Sequence, residues 1–165
     1  MAQLFQITVN EVLSGISRAI YDVYGSTLSI YKEKQEHLDL PGVCIYCINY
    51  DKVMERNDRF TNTFNIIINY FPQEIDIINN NRPQMFTEAE KIMDAIKYIN
   101  LPAYKRDESG NLVETTLLNR ANDLTVEEQD GFIQITGTYT VRTKQFKDEH
   151  KMIHLETEIT HKSGG

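Results

Sequence analysis

The sequence predicts an α+β protein with a mainly antiparallel, twisted sheet and two helices packed on one face of it. Three observations lead to this prediction. Two segments carry apolar residues at helical spacing after a capping motif, several others alternate between apolar and polar residues, and turn signals join consecutive strands. Hairpin connections favour antiparallel pairing, and one-sided helices favour packing on one face of a sheet.

The first predicted helix begins after Thr8, which forms a T-x-x-E capping box with Glu11. Gly25 is expected to end it, because glycine is favoured just beyond a helix C-terminus. Gly15 lies in the middle, where glycine costs about 1 kcal/mol relative to alanine, and this indicates a close backbone contact. One buried stripe is predicted from Val9, Val12, Leu13, Ile16, Ala19, Ile20 and Val23.

Three strands are predicted between the helices. Residues 27–32 form a short strand, and residues 43–50 are a β-branched and aromatic run that we expect to be buried on both faces. Residues 51–58 are polar and charged, and we interpret them as a long turn or a protruding arm. Residues 60–71 alternate well and end at Pro72.

The second helix is predicted to begin at Thr87, which forms another T-x-x-E box with Glu90. It is predicted to end at Leu101-Pro102, because the residue before a proline is disfavoured in helical geometry. Its apolar face is predicted to contain Ala89, Ile92, Met93, Ile96 and Ile99.

The C-terminal part is predicted to form a hairpin and one further strand. Asp130-Gly131 is a strong turn signal between strands at residues 124–128 and 132–146. Residues 105–111 form a charged turn before this hairpin, and the last strand is predicted at residues 152–160.

Composition and charge narrow the classes of function. The chain has 165 residues, with 17 Lys plus Arg and 24 Asp plus Glu, so its net charge is −7. This balance argues against affinity for nucleic acid or an anionic membrane surface.

Targeting signals and cysteines concern the compartment in which the chain folds. No apolar run reaches the roughly 20 residues of a spanning helix, and no signal peptide is predicted. The two cysteines favour folding in a reducing cytoplasm. We expect one domain over residues 1–147 and a C-terminal extension or strand over residues 148–165.

Two motifs suggest metal or redox chemistry but have simpler interpretations. Cys44 and Cys47 spell C-x-x-C, yet residues three apart in a strand point to opposite faces. His150 and His154 lie on a strand pattern, about 13 Å apart, which is too far for one metal ion. Carboxylates fall in caps, turns and strand faces, and no pair lies in the apolar surroundings that tune acid–base groups. We therefore predict no catalytic, metal or cofactor site.

The long strands are unusual. The segment 132–146 is about twice the length of an ordinary strand. Two interpretations stay open: a sheet with one solvated face, or strands that project beyond the domain and pair with a neighbour.

Several segments, taken in their order and spacing, carry a family resemblance. They are residues 30–33 (IYKE), 41–46 (PGVCIY), 56–60 (RNDRF), 64–72 (FNIIINYFP) and 124–135 (LTVEEQDGFIQI). Together with the two helices, this pattern resembles the tail terminator (tail completion) proteins of Gram-positive prophages and phage-tail-like bacteriocins. The segment 105–120 and the chain after Lys147 depart from the family pattern.

The resemblance implies a ring, usually of six subunits, on the head-proximal end of the tail tube, where it stops tube polymerisation. The implied partners are other copies of the chain, the tail tube protein, the tail sheath protein if the tail is contractile, and a collar or head connector. The resemblance implies no membrane partner, no specific nucleic acid partner and no cofactor. It also implies no catalysis. The implied location is the tail of a phage or phage-tail-like particle, assembled in the bacterial cytoplasm.

Two alternatives remain at this point. Another neck or head–tail joining protein would share the ring architecture, and a small-molecule-binding α+β domain would share the fold class. The small-molecule alternative predicts a monomer, whereas the structural alternatives predict an assembly.

Three segments are candidates for the interface with another subunit, the tube or the sheath. They are the arm at residues 52–59, the distal part of the long strand, and the segment 152–161, which could add a strand to a partner sheet. A solvated loop or tail is the simpler alternative for each. The candidate residues are Lys52, Glu55, Arg56, Arg59, Arg142, Lys144, Phe146, Lys147, His154 and Glu156.

Overall fold

The computed structural model describes residues 6–33, 37–56, 58–73 and 82–144. Within these residues, two helices and six strands confirm the predicted α+β class. In chain order they are α1 (Val9–Tyr24), β1 (Ser29–Tyr31), β2 (Gly42–Arg56), β3 (Arg59–Phe71), α2 (Arg82–Ile96), β4 (Tyr98–Arg106), β5 (Leu112–Gln129) and β6 (Phe132–Lys144).

The six strands form one sheet in the order β1-β2-β3-β6-β5-β4. The short β1 runs parallel to the start of β2, and all the other pairs are antiparallel. The long β5 pairs with two strands. Its first half pairs with β4, and its second half, from Ala121, pairs with β6. A bulge between Ala121 and Asp123 separates the halves, and such bulges bend a strand and increase its twist. The sheet therefore curls at this point.

Helix α1 begins as predicted, and its predicted buried stripe is confirmed except at Val23, which is 47% exposed. The Thr8 hydroxyl accepts a hydrogen bond from the Glu11 backbone N–H over 3.2 Å, and the Glu11 carboxylate accepts one from the Thr8 N–H over 2.9 Å. A Cβ on Gly15 would lie 3.0 Å from the Asn100 carbonyl oxygen. This contact confirms the predicted close backbone approach, and it fixes α1 against β4.

The predicted limits of the second helix are wrong at both ends. Helix α2 runs from Arg82 to Ile96, and the Thr87 hydroxyl donates to the Pro83 carbonyl over 2.8 Å, so Thr87 lies inside the helix and does not cap it. Leu101-Pro102 belongs to β4, an edge strand, where the missing N–H of proline is tolerated.

Two strand predictions also need correction. Strand β2 continues through the predicted turn or arm to Arg56, and it is buried only from Gly42 to Ile45, not on both faces to residue 50. The charged turn at residues 105–111 is shorter than predicted, because β4 reaches Arg106 and β5 begins at Leu112. The first half of β5 is half-buried and rich in polar residues, so it gives only a weak strand pattern.

The core lies between the helices and one face of the sheet, which we call the helix-side face. Its strongest contributors are fully buried side chains from α1, α2, β3 and β6, each worth roughly 1.5–3 kcal/mol. They include Ile16, Ile20, Ile92, Ile96, Phe64, Ile66, Ile133 and Ile135. None of the helices in the described ranges has the length and apolar character needed to cross a membrane.

Candidate assembly interface

The predicted interface residues that the structure describes lie on three neighbouring strand ends. We call these ends the distal ribbon: residues 49–56 of β2, 59–65 of β3 and 138–144 of β6. Strands β2 and β6 run towards the tip of the ribbon, and β3 between them runs away from it. Every residue of β2 from Ile48 to Arg56 is exposed, so this side of the ribbon is open to a partner.

The strand register gathers three basic residues at the tip. Arg56 pairs with Arg59 across β2 and β3, and Arg59 pairs with Lys144 across β3 and β6. Like charges directly opposite each other on a sheet are destabilising. An acidic partner at the tip would relieve this repulsion.

The two other predicted residues of β2 lie on opposite faces of the ribbon. The Lys52 ammonium lies 4.6 Å from the centre of the Phe60 ring on the helix-side face, a cation–π contact. Glu55 lies on the other face, which we call the outer face, and accepts a hydrogen bond from the Thr61 hydroxyl. The two residues therefore cannot contact the same flat partner surface.

A buried polar network holds the distal ribbon together, and the sequence analysis missed it. Asn62 is only 1% exposed. Its side-chain amide donates to the Val141 carbonyl over 3.0 Å and to the Thr143 hydroxyl over 2.9 Å, and it accepts from the Tyr50 hydroxyl over 2.9 Å. One signal was available, because Asn62 falls on the apolar side of the alternation, between Phe60 and Phe64. The network ties all three strands of the ribbon together.

The outer face of the central strands is polar but almost uncharged. Thr138 donates to Asn65 over 2.8 Å, Asn65 donates to Asn49, and Gln134 donates to Asn69 over 3.3 Å. These side chains join β2, β3 and β6 through their own hydrogen bonds. The outer face is therefore preorganised, and its charges lie towards the tip.

Among the described residues, both outer strands of the distal ribbon have an edge without a paired strand, which we call an open edge. Strand β1 pairs only with residues 42–44 of β2, so within the described ranges the rest of the β2 edge has no strand beside it. Strand β5 turns away from β6 after Tyr139, and the Asn119 side chain donates to the Thr140 carbonyl over 3.2 Å instead. Open edges of this kind are templates for pairing with another chain.

The remaining sequence predictions concern the cysteines and the C-terminal segment. Cys44 pairs with Asn69 and Cys47 with Ile66, which confirms that the two thiols lie on opposite faces of the sheet. Burial raises the pKa of the Cys47 thiol, which donates a hydrogen bond to the Asn49 carbonyl over 3.1 Å. The candidates Phe146, Lys147, His154 and Glu156 lie outside the described residues, as does the last predicted strand.

Comparison with known families identifies the kind of protein that carries this ribbon. The family model of phage tail terminator proteins matches residues 11–151, a range that includes all six strands and the distal ribbon. The chain belongs to the phage tail terminator family. No curated protein matches it significantly. This tail terminator is a structural protein of the virion tail and associates with other tail components.

Proposed function

We propose that this tail terminator forms a ring of six subunits on the head-proximal end of the tail and stops polymerisation of the tail tube. In a contractile tail, whether of a phage or a headless bacteriocin, the ring also meets the last turn of the sheath. Its opposite side meets a collar or head connector. One surface would fit the tube end, and the other would accept no further tube subunit.

The distal ribbon is the observation that supports a closed ring. Within the part of the chain that the structure describes, it offers two different open edges, on β2 and on β6. A contact between unlike surfaces is heterologous. Such a contact builds either a closed ring or an open filament. A protein that ends a polymer needs the closed form.

Tail length in cells lacking the gene tests the capping role. We expect tube structures much longer than normal, and normal lengths when the wild-type gene is restored, as seen by negative-stain electron microscopy. Normal tail length with detached heads would instead support a head–tail joining role. Normal length and normal joining would overturn both structural functions.

The mass of the purified chain tests the ring separately. A hexamer of 19.2-kDa subunits has a mass of about 115 kDa, which mass photometry resolves from the monomer. A chain that stays monomeric at every concentration, also in the presence of tube ends, would overturn the ring and favour the small-molecule alternative.

A further inference from the structure

Below the basic tip, the two outer strands of the distal ribbon carry opposite charges on the same face. Asp51 pairs with Thr63, and Glu55 contacts Thr61, so both carboxylates lie on the outer face of the β2 edge. Arg142 also pairs with Thr61 and therefore lies on the outer face too, at the β6 edge. On this face, the neutral Thr61 and Thr63 of β3 lie between the two carboxylates and Arg142.

Lys144 lies two residues beyond Arg142 on the same face of β6. It is level with Arg59 of β3 and Arg56 of β2, so the tip of the ribbon is basic on both edges. Within the described ranges, no ion pair joins Asp51, Glu55, Arg142 or Lys144 to another residue. Asp51, Glu55 and Arg142 are exposed. Below the tip, the β2 edge therefore presents two carboxylates and the β6 edge presents Arg142, and none of these three groups has an ionic partner among the described residues.

We propose that neighbouring copies join through these edges, so that the β2 edge of one subunit pairs with the distal β6 edge of the next. The inference rests on the proposed ring and names its joint. Strands β2 and β6 are both antiparallel to β3, so they run in the same direction. Copies related by a rotation would consequently pair β6 with β2 as parallel strands.

The register makes the charge pattern of this joint specific. Val53 and Arg142 both pair with Thr61, so they lie at the same height in the ribbon. A copy docked at that height would place its Arg142 beside Val53 of the neighbour, between Asp51 and Glu55. Its Lys144 would lie level with Arg56 of the neighbour, so the ionic attraction at the joint comes from Arg142. Opposite charges at such neighbouring positions stabilise a sheet, and like charges destabilise it.

A second copy is the occupant that these observations favour. Every subunit supplies both the carboxylates Asp51 and Glu55 and the guanidinium of Arg142, so these groups can pair at each joint without any other protein. The edge at the far end of the sheet differs, because β4 carries Pro102, which cannot donate a backbone hydrogen bond to a further strand. The β2 edge also exposes Val53 and Met54, which are 58% and 61% exposed and would be covered in the joint.

Charge reversal on each edge tests the joint. We expect the double variant D51K/E55K to place two lysines beside Arg142 of its neighbour, and R142E to place a glutamate beside Asp51 and Glu55. Because like charges at an interface repel, half-assembly of each variant alone should need at least about a tenfold higher concentration than the wild type. An equimolar mixture should form rings again, with the two variants alternating. The triple variant D51K/E55K/R142E should also assemble, because the charges at the joint have exchanged signs.

The matched control is E90K/D94K, which reverses two exposed carboxylates on α2 and should leave the ring intact. Circular dichroism of every variant checks that the subunit is folded, and mass photometry reports assembly. A wild-type chain that stays monomeric at every concentration, also in the presence of tube ends, overturns the proposed ring. Wild-type rings that persist in both edge variants, or edge variants whose mixture stays monomeric, overturn only this inference.

Discussion

The side-chain amide of Asn62 donates a hydrogen bond to the backbone carbonyl of Val141 over 3.0 Å. The bond crosses from β3 to β6 inside the distal ribbon, where Asn62 is only 1% exposed. A buried amide without partners would be costly, so this position depends on its three hydrogen bonds.

Replacing Asn62 by alanine should destabilise the protein. The change removes the amide that donates a hydrogen bond to the buried Thr143 hydroxyl. Because a buried polar group without its partner is costly, the free energy of unfolding should fall by roughly 1–3 kcal/mol. Urea denaturation measures the change. The control is Asn111→Ala, an exposed side chain next to a turn, which should change the free energy by less than about 0.5 kcal/mol. Equal stability of the two variants would contradict the structural role of Asn62.

The backbone conformation of the β5–β6 hairpin should require a glycine at position 131. Its φ is +83°, and a Cβ there would have no atom within 4 Å, so a substitution meets strain without a clash. Gly131→Ala should cost about 1–2 kcal/mol, and Gly131→Asn should cost less because asparagine adopts this conformation more readily. Urea denaturation of both variants measures the difference. Wild-type stability of the alanine variant would contradict the assigned turn geometry.

Buried tyrosines should make stability fall at alkaline pH. Burial raises the pKa of the Tyr139 phenol above its ordinary value of 10.0, and its hydroxyl donates to the Ile96 carbonyl over 2.6 Å. Below about pH 10 this phenol is neutral in both the folded and the unfolded chain. Above that pH only the unfolded chain releases the proton, so the free energy of unfolding decreases.

The Tyr24 phenol should contribute in the same direction. Its pKa is raised first by burial and then by its hydrogen bond to Glu88. Ultraviolet absorbance should show late ionisation of part of the nine tyrosines in the folded protein. In denaturant all of them should ionise in one step near pH 10, at about the ordinary value. A single early step in the folded protein would contradict the buried environment of Tyr24 and Tyr139.

The cysteines should react slowly in the folded protein. Cys44 is buried, and the raised pKa of Cys47 lowers the amount of its reactive thiolate. A thiol reagent near neutral pH should label the native chain at least about tenfold more slowly than free cysteine, and the unfolded chain at the ordinary rate. The Cys44→Ser variant isolates Cys47 in this measurement. Rapid labelling of that variant in its folded form would contradict the partial burial and the raised pKa of the Cys47 thiol.

The sequence predicted much of the fold wherever a local pattern and the tertiary environment agree. The capping box of α1, the alternation of β3 and the Asp130-Gly131 turn are short-range features, and each is specified within a few residues. The helix start predicted from the second T-x-x-E motif was wrong, because Thr87 lies within a longer helix. The helix end predicted at Leu101-Pro102 was also wrong, because an edge strand tolerates proline as well.

The sequence by itself determined the α+β class, the acidic charge of −7 and a pattern typical of tail terminators, because these depend on composition and on residues close together in the chain. Only the tertiary structure decided that residues 51–56 continue a strand, and that Arg56, Arg59 and Lys144 lie in one row. It also placed Asp51 and Arg142 on opposite edges of one face. Such neighbours are about 90 residues apart in the chain, and only strand register brings them together.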